Sequence, residues 1–220
     1  MPGASRAMGM RNGRALEAIR RLMALRRKLV TQWGGHQAAR GEQQRVLDLE
    51  FEAVLLDVRD KVIKAMDAEI SKVEKEMDRL VDQDPQLKEQ YGLLTGIKGI
   101  GPVTARYLIV HTAGFKAFDT WRKFASYCGI APFPNTSGTS VRGRTKVSHL
   151  ADKEGKKLLN MCAFSAIQHN PEMRAYYQRR IAQGKNEMST VNIVRNKILS
   201  RAFAVVKRGT PYVNTMGLAA

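Results

Sequence analysis

One stretch of the chain, from Arg45 to Val81, contains neither proline nor glycine, and its acidic and basic residues are interleaved. Apolar residues recur in it at alternating steps of three and four, the heptad pattern of packed helices; they are Ile63, Met66, Ile70, Val73, Met77 and Leu80. The stretch therefore predicts one long helix. Two arrangements stay open: a hairpin with a preceding helix at 14–32 that Gly34-Gly35 ends, and a coiled coil joining two copies of the protein.

The net charge of the chain is +17, from 37 Lys and Arg against 20 Asp and Glu, which indicates an anionic partner such as nucleic acid. Hydrophobic residues make up 44% of the 220 residues, enough for a packed core and too many for a disordered chain. Two cysteines, Cys128 and Cys162, exclude a disulfide scaffold. The apolar runs are far too short to span a membrane, so we expect a soluble cytosolic protein without a membrane partner.

The positive charge is concentrated toward the C-terminal end. Residues 1–45 hold ten Lys and Arg and two acids, residues 46–90 hold seven and thirteen, and residues 91–220 hold twenty and five. The three balances are +8, −6 and +15, which sum to the +17 of the whole chain. A surface that binds an anionic partner is therefore expected within the last 130 residues.

The rest of the chain is punctuated by helix signals and has no long stretch with the period-two alternation of a strand. Helices are predicted from Asp119 as N-cap to Cys128, at 153–169, from Pro171 onward and at 187–207, with Gly209 ending the last. Residues 129–151 are predicted to be a loop. The fold class is therefore all-α: a long helical hairpin or coiled coil followed by a compact helical domain containing a helix–hairpin–helix. The predicted parts are a basic N-terminal helix and linker at 1–44, a coiled-coil helix at 45–84, the compact domain at 85–213 and a tail at 214–220.

A glycine-rich turn, Gly99-Ile100-Gly101, lies between a leucine-rich helix end and an apolar helix start. This arrangement resembles the helix–hairpin–helix module of DNA-binding proteins, in which glycines let the backbone approach a phosphate at a helix N-terminus. Lys98 and Arg106 flank the turn and add positive charge, so both residues and both glycines are candidate phosphate contacts. A plain turn between two core helices is the alternative.

A second candidate site is the Ser/Gly/Arg-rich segment at 129–151. Its cations, with one lysine just beyond it, are candidates to surround a phosphate: Arg142, Arg144, Lys146, His149 and Lys153. A serine beside Gly138, among such cations, has the surroundings that nucleophilic attack on a phosphodiester requires. The alternative is a basic loop that only grips a nucleic-acid backbone.

Several separated motifs occur in an informative order: GIKGIGP at 96–102, YCGIAP at 127–132, SGTSVRGR at 137–144 and KKLL at 156–159. Together they resemble the C-terminal domain of the Piv/MooV-type insertion-sequence transposases, the bridge-RNA-guided recombinases. The likeness spans roughly residues 45–213. It implies a DNA transposase or recombinase in which a serine joins covalently to DNA; Ser137 matches the serine of the family's Ser-Gly pair, and Ser140 is the second choice.

The resemblance also implies partners and a cofactor. A structured guide RNA selects the DNA in that family, a coiled coil assembles the protomers, and four acidic residues of a ribonuclease-H-like N-terminal domain bind Mg²⁺. Residues 1–44 contain only Glu17 and Glu42 as acids, so that domain is expected to be missing, with no metal site or other cofactor in this chain. The expected location is the bacterial cytoplasm, associated with the nucleoid. A non-catalytic helix–hairpin–helix module that binds nucleic acid is the alternative function.

Overall fold

The computed structural model describes residues 2–43, 50–131, 133–137, 141–146 and 151–213, with side chains described for 13–43, 53–131 and 151–213. Helices dominate these residues, which confirms the predicted all-α class, with one small two-stranded sheet in addition. The elements in chain order are α1 (Pro2–Gln43), α2 (Glu50–Asp82), α3 (Pro85–Thr95), α4 (Pro102–His111), α5 (Trp121–Tyr127), β1 (Phe133–Ser137), β2 (Val141–Lys146), α6 (Lys153–His169), α7 (Pro171–Ala182) and α8 (Glu187–Arg208). None of the helices in the described part has a stretch long and apolar enough to cross a membrane.

Helices α1 and α2 pack against each other as an antiparallel pair. The guanidinium of Arg26 lies 2.6 Å from the Glu74 carboxylate, and that of Arg40 lies 2.5 Å from the Asp60 carboxylate. The two arginines advance along α1 while their partners retreat by the same number of residues along α2, which is the register of an antiparallel hairpin. The hairpin arrangement is thus the one observed within this chain.

The predicted end of the first helix at Gly34-Gly35 is wrong, because α1 continues through both glycines to Gln43. A glycine within a helix costs about 0.5–1 kcal/mol relative to alanine, which a packed partner helix offsets. The ion pair of Arg40 with Asp60 lies beyond the glycines and holds the last turns of α1 on α2. Tertiary contact therefore overrides the local stop signal.

The heptad residues of α2 form the seam of this hairpin. Ile63, Val73 and Met77 are buried, and Ile19 contributes a buried side chain from α1. Nearer the start of α2 the apolar residues are exposed: Val54 keeps 63% and Val58 53% of its surface. The seam is thus buried from Ile63 onward, whereas Val54 and Val58 leave an apolar face in solvent near the start of α2.

A break follows the long helix where the sequence predicts it. Helix α2 ends at Asp82 and α3 begins at Pro85, the residue whose ring closes off helix continuation. The chain divides into two compact units on either side of this break, Met1–Pro85 and Gln86–Ala220.

The second unit has a core built on α4, whose residues from Thr104 to Val110 are all buried. The buried side chains of the later helices include Leu159, Cys162, Ala163, Ala166, Val191, Val194, Ile198, Ala202 and Val205. Tyr107 and Phe124 are the largest fully buried side chains of this unit.

The helix boundaries in the second unit follow their capping residues. Asp152 and Asn170 accept hydrogen bonds from the first backbone N–H groups of α6 and α7, and Gly209 ends α8 with a φ of 66°. These starts and ends confirm the predictions. The predicted N-cap Asp119 is wrong, because Thr120 caps α5 through its hydroxyl and the Asp119 carboxylate instead pairs with Lys123.

The predicted loop at 129–151 contains a β-hairpin, which corrects that prediction. Strands β1 and β2 pair antiparallel, with Phe133 opposite Lys146 and Ser137 opposite Val141, and the register shifts between Phe133 and Asn135. The segment has no apolar alternation along the chain, so the period-two pattern gave no signal for these strands.

Candidate nucleic-acid interface

The glycine turn connects α3 to α4 and exposes the start of α4. Lys98 is exposed in the turn, and Gly101, also exposed, is the extended residue that precedes Pro102 at the first helical position. A Cβ added at Gly101 would meet nothing within 4 Å. The first backbone N–H groups of a helix lack partners within the helix and carry positive partial charge. Lys98 and Gly101 therefore lie where an anion such as a phosphate fits.

Gly99 has a different role in the same turn. Its φ is 108°, and an added Cβ would lie 2.8 Å from the carbonyl oxygen of Cys162 and 2.9 Å from the Cβ of Ala166. Both neighbours belong to α6, so this glycine lets the turn approach a core helix closely. For Gly99 the packing explanation thus accounts for the glycine without any phosphate.

Arg106 lies on α4 but is only 3% exposed. Its guanidinium carbon is 5.7 Å from the centre of the Tyr91 ring, within the range of a cation–π contact. The sequence predicts an exposed cation at this position, beside the turn. In the structure the Arg106 side chain instead packs inside the second unit.

Ser137 is the last residue of β1, and the connection to β2 begins immediately after it. Arg142, Arg144 and Lys146 occupy alternate positions of β2, with Arg142 opposite Thr136. The hairpin thus brings the backbone of the predicted nucleophile and of three predicted cations onto two adjacent strands. Ser140 and His149 lie outside the described residues.

Both ends of the segment that carries the hairpin are tied to the helical core. The carbonyl oxygen of Ile130 accepts hydrogen bonds from the side-chain amides of Asn192, at 3.0 Å, and Asn196, at 3.2 Å. At the other end the backbone N–H of Asp152 donates to the carbonyl oxygen of Tyr127 at 2.9 Å. Hydrogen bonds therefore attach the chain to α8 just before the hairpin and to the end of α5 just after it.

Asp152 is the centre of a buried polar cluster at the exit of the hairpin. Its carboxylate accepts the Tyr107 hydroxyl at 2.5 Å and lies 3.7 Å from Nδ1 of His111, while it also caps α6. Burial by itself raises the pKa of Asp152, but the hydrogen bonds from Tyr107 and from the Glu154 and Gly155 backbone outweigh burial and lower it. The cluster thus holds an ionised carboxylate directly after the hairpin.

The helix start beside this carboxylate is packed with no spare room. A Cβ on Gly155 would overlap the Tyr107 hydroxyl oxygen and lie 2.7 Å from Sγ of Cys128. Burial raises the pKa of Cys128 to about 12 and also raises the pKa of Cys162, so both thiols stay protonated at neutral pH. Both cysteines are buried in the core of the second unit.

Lys153 follows the cap of α6 and is exposed, as are Lys156 and Lys157. On the last helices the cations are more engaged: Arg201 pairs with Glu172, and the ammonium of Lys197 lies 4.5 Å from the centre of the Tyr176 ring. The cations at the start of α6 are thus more available to an outside phosphate than those of α8 that pair within the fold.

Acidic and other metal-binding side chains do not cluster in the part of the chain that the structure describes. No group of three or more His, Cys, Asp or Glu residues there is arranged to hold a metal ion.

Part of the second unit matches a known class of proteins. Residues 91–178 match the family model described as "Transposase IS116/IS110/IS902 family". That segment contains the glycine turn, the β-hairpin and α6. That part of the second unit is therefore similar to transposases of this family.

Individual relatives agree with this class. The chain is 29% identical over 160 residues to the insertion element IS110 uncharacterized 43.6 kDa protein of Streptomyces coelicolor, covering 71% of this chain and 39% of that protein. It is 25% identical over 154 residues to the pilin gene-inverting protein of Moraxella bovis, covering 70% of this chain and 48% of that protein. The insertion element IS900 uncharacterized 42 kDa protein of Mycobacterium paratuberculosis is 24% identical over 180 residues, or 80% of this chain and 43% of that protein. The chain thus spans less than half the length of these relatives.

Sequence reasoning missed the residues that position the hairpin. Asn192 and Asn196 stand four apart and reach the same carbonyl, a spacing that places them on one helix face. Asp152 was readable as an N-cap, but its contacts with Tyr107 and His111 join residues more than forty positions apart. For the two asparagines, their i, i+4 spacing was the local signal that could have indicated a shared contact.

Proposed function

We propose that this chain is the DNA-binding and strand-joining part of a transposase, with Ser137 as its nucleophile. The match of residues 91–178 to the transposase family carries the proposal. The position of Ser137 at the end of β1, in a hairpin anchored at both ends, supports it. An anchored hairpin holds a nucleophile with the small positional spread that transfer reactions require.

The proposed reaction is transesterification of DNA. The Ser137 Oγ attacks a phosphodiester phosphorus, its proton passes to a base, and the bond from phosphorus to the departing 3′ oxygen breaks. The DNA is then held as a phosphoserine ester until the 3′ hydroxyl of another strand attacks the same phosphorus and releases the serine. One ester bond is exchanged for another at each step, so the sequence of steps needs no nucleotide hydrolysis.

The proposed contacts to the nucleic-acid backbone fall into two groups. Lys98 and the open N-terminus at Gly101 form one group in the second unit, and Lys153 at the start of α6 belongs to the other. The β2 residues Arg142, Arg144 and Lys146 complete the second group, around Ser137. Cations there would stabilise charge on the phosphorus as the serine attacks.

Three further parts of the proposal concern the whole protein. A structured guide RNA selects the DNA, and Mg²⁺ acts through a ribonuclease-H-like domain supplied outside these residues. The chains assemble into a homo-oligomer through the exposed apolar face of α2, which includes Val54 and Val58. The protein works in the bacterial cytoplasm at the nucleoid.

Covalent capture tests the nucleophile. The full chain, with and without a family-type N-terminal domain and its guide RNA, is incubated with nicked DNA and examined by peptide mass spectrometry. We expect a nucleotide adduct on Ser137 that Ser137→Ala abolishes while DNA binding stays. An adduct on Ser140 would make Ser140 the nucleophile in place of Ser137 and would leave the proposed reaction unchanged.

Absence of any adduct in the complete mixture, together with tight salt-sensitive DNA binding, would leave the non-catalytic binding module as the function. The matched control is Ser126→Ala, which removes a serine hydroxyl that donates within α5 to the carbonyl of Arg122. This control is expected to leave both adduct and binding unchanged.

Sedimentation tests the oligomer. The double variant Val54→Lys and Val58→Lys is expected to sediment as a monomer at concentrations where the parent chain associates, because the charges would be buried in the interface. Lys61→Ala, at an exposed position of the same helix, is the control. Equal mass for the parent and the double variant would contradict assembly through this face.

A further inference from the structure

The second unit contains a cleft that the proposed reaction does not use. It has a volume of about 660 Å³ and lies between the start of α3, residues 114–122 and the last turns of α8. Binding sites for small organic ligands typically have volumes of about 300–1,000 Å³. A cleft of this size therefore has room for a ligand as large as one nucleotide.

The apolar part of the cleft is aromatic. Four rings line it, each of them half-buried with part of its surface left in the open: Phe115, Phe118, Trp121 and Phe203. Phe115 and Phe203 meet edge to face with their centres 4.9 Å apart. Phe115 adopts a φ of 64°, which is unusual for a bulky residue. The fold thus accepts local backbone strain where it places this ring.

The rim of the cleft is basic. Lys116, Arg122 and Lys207 line it, and the guanidinium of Arg122 lies 4.7 Å from the centre of the Trp121 ring. Lys116 lies 3.5 Å from the amide oxygen of Gln86. The acid of the rim, Asp119, is held 2.5 Å from the ammonium of Lys123. The rim therefore presents net positive charge beside aromatic surface.

A buried polar group reaches the cleft from α3. Gln90 is 7% exposed, and its Nε2 donates to the carbonyl oxygen of Gly114 at 3.1 Å. Its Oε1 is buried without a hydrogen-bond partner among the described groups. A buried acceptor without a donor destabilises a fold by about 1–3 kcal/mol.

We propose that this cleft binds one unstacked nucleotide of a single-stranded nucleic acid. The base lies against the aromatic rings, while Lys116, Arg122 and Lys207 contact its phosphates. Bases of every kind stack on aromatic side chains, and cations beside the rings follow the backbone. The inference rests on the proposed function, since the strand would be part of the RNA or DNA that the protein handles.

Fluorescence of Trp121 reports directly on the cleft. The chain has two tryptophans, so a Trp33→Phe background leaves Trp121 as the single reporter. Titration with an octamer of uridine, an octamer of thymidine and a DNA duplex is followed at several salt concentrations. We expect saturable quenching by the single strands and weaker quenching by the duplex. The two octamers separate RNA from DNA as the preferred strand.

Charge variants test the phosphate contacts without disturbing the core. In Lys116→Gln combined with Lys207→Gln, the slope of log affinity against log salt for single strands is expected to fall by about 1.4, or about 0.7 for each lost contact. Lys185→Gln, at an exposed lysine outside the cleft, removes a charge elsewhere and provides the baseline for each lost cation. Trp121→Ala is expected to weaken single-strand binding tenfold or more, whereas Phe164→Ala, which removes an exposed ring of α6, leaves it unchanged.

The outcomes separate this inference from the proposed function. Suppose that single strands bind without quenching Trp121 and that the double lysine variant binds them as the parent does. This result would contradict the nucleotide site in the cleft, whereas duplex binding and the serine adduct would still support the proposed function. Quenching by an apolar peptide instead of by oligonucleotides would show that the cleft binds a protein segment. It would contradict the proposal that the cleft binds a nucleotide. No binding of any nucleic acid by the parent chain would overturn the proposed function itself.

Discussion

Helices pack differently in the two units of the chain, the helical hairpin of α1 and α2 and the second unit. The hairpin tolerates Gly34 and Gly35 inside α1, where an added Cβ would meet nothing within 4 Å. The second unit instead uses Gly99 and Gly155 at points where a Cβ would collide with neighbouring residues. Glycine is incidental to packing in the hairpin and required by it in the second unit.

Polar contacts also differ between the hairpin of α1 and α2 and the second unit. The hairpin is bridged by ion pairs at its partly exposed edges, where solvent screens them and each contributes little. The second unit buries its polar groups in clusters such as Asp152 with Tyr107. A buried polar group is costly when its partner is removed. The second unit therefore depends on individual residues, whereas the hairpin depends on its overall pattern.

The largest effect is expected for Gly155→Ala. The new Cβ would overlap the Tyr107 hydroxyl and press on Cys128, so stability falls by about 3 kcal/mol despite the better helix propensity of alanine. Chemical denaturation followed by circular dichroism measures the loss. Unchanged stability would mean that α6 can move away from α4 freely.

Gly99→Ala is expected to cost slightly less, about 2–3 kcal/mol. Alanine is strained at a φ of 108°, and its methyl would lie too close to the carbonyl of Cys162. Gly101→Ala, two residues away in open space, is the matched control and should stay within about 0.5 kcal/mol of the parent. Equal losses for the two variants in thermal unfolding would contradict the packing role of Gly99.

Asp152→Asn is expected to lower stability by about 1–2 kcal/mol at pH 7, since hydrogen bonds to the charged carboxylate are lost. The pKa of Asp152 is lowered in the folded state, so its contribution is complete above about pH 4 and disappears as the pH falls through the folded-state value. In denaturation from pH 7 to pH 3, the difference in stability between variant and parent should therefore narrow as the pH falls below about 4. Asp119→Asn, at an exposed carboxylate whose ion pair is screened by solvent, is the control and is expected to leave stability nearly unchanged.

Gly35→Ala tests the other side of the comparison and is expected to stabilise the protein by about 0.5–1 kcal/mol. The position is exposed inside α1, and alanine loses less backbone entropy on folding than glycine. An increase in helicity and in unfolding temperature would agree with a continuous helix. A loss of stability would restore the predicted helix end at Gly34-Gly35.

The smallest effect is expected for the ion pair between Arg26 and Glu74. A double-mutant cycle with alanine at each position should give a coupling of about 0.5 kcal/mol that fades at 1 M salt. Stability measured for the four chains at low and high salt supplies the cycle. A coupling above about 2 kcal/mol would show that the hairpin relies on single contacts as the second unit does.

Local signals predicted the helices well where they were complete. Pro171 after Asn170, Gly209 after α8 and the apolar spacing of α6 each specified a boundary or a buried face, because caps and helical periodicity involve neighbours within one or two turns. The β-hairpin escaped prediction because β1 and β2 contain proline, glycine and polar residues, and pairing between them is a non-local choice. The same limit hid the burial of Arg106, whose place depends on the helices around α4.

The sequence by itself determined that the chain is helical, basic toward its C-terminal end and built around a glycine turn and a serine-bearing basic segment. Charge, periodicity and capping residues are properties of the chain at short range, so they can be read without a structure. Only the tertiary structure decided that Gly99 faces α6, that Asn192 and Asn196 anchor the hairpin, and that Gln90 reaches the aromatic cleft. Each of these joins residues distant in sequence, and close packing of the folded chain is what brings them within contact.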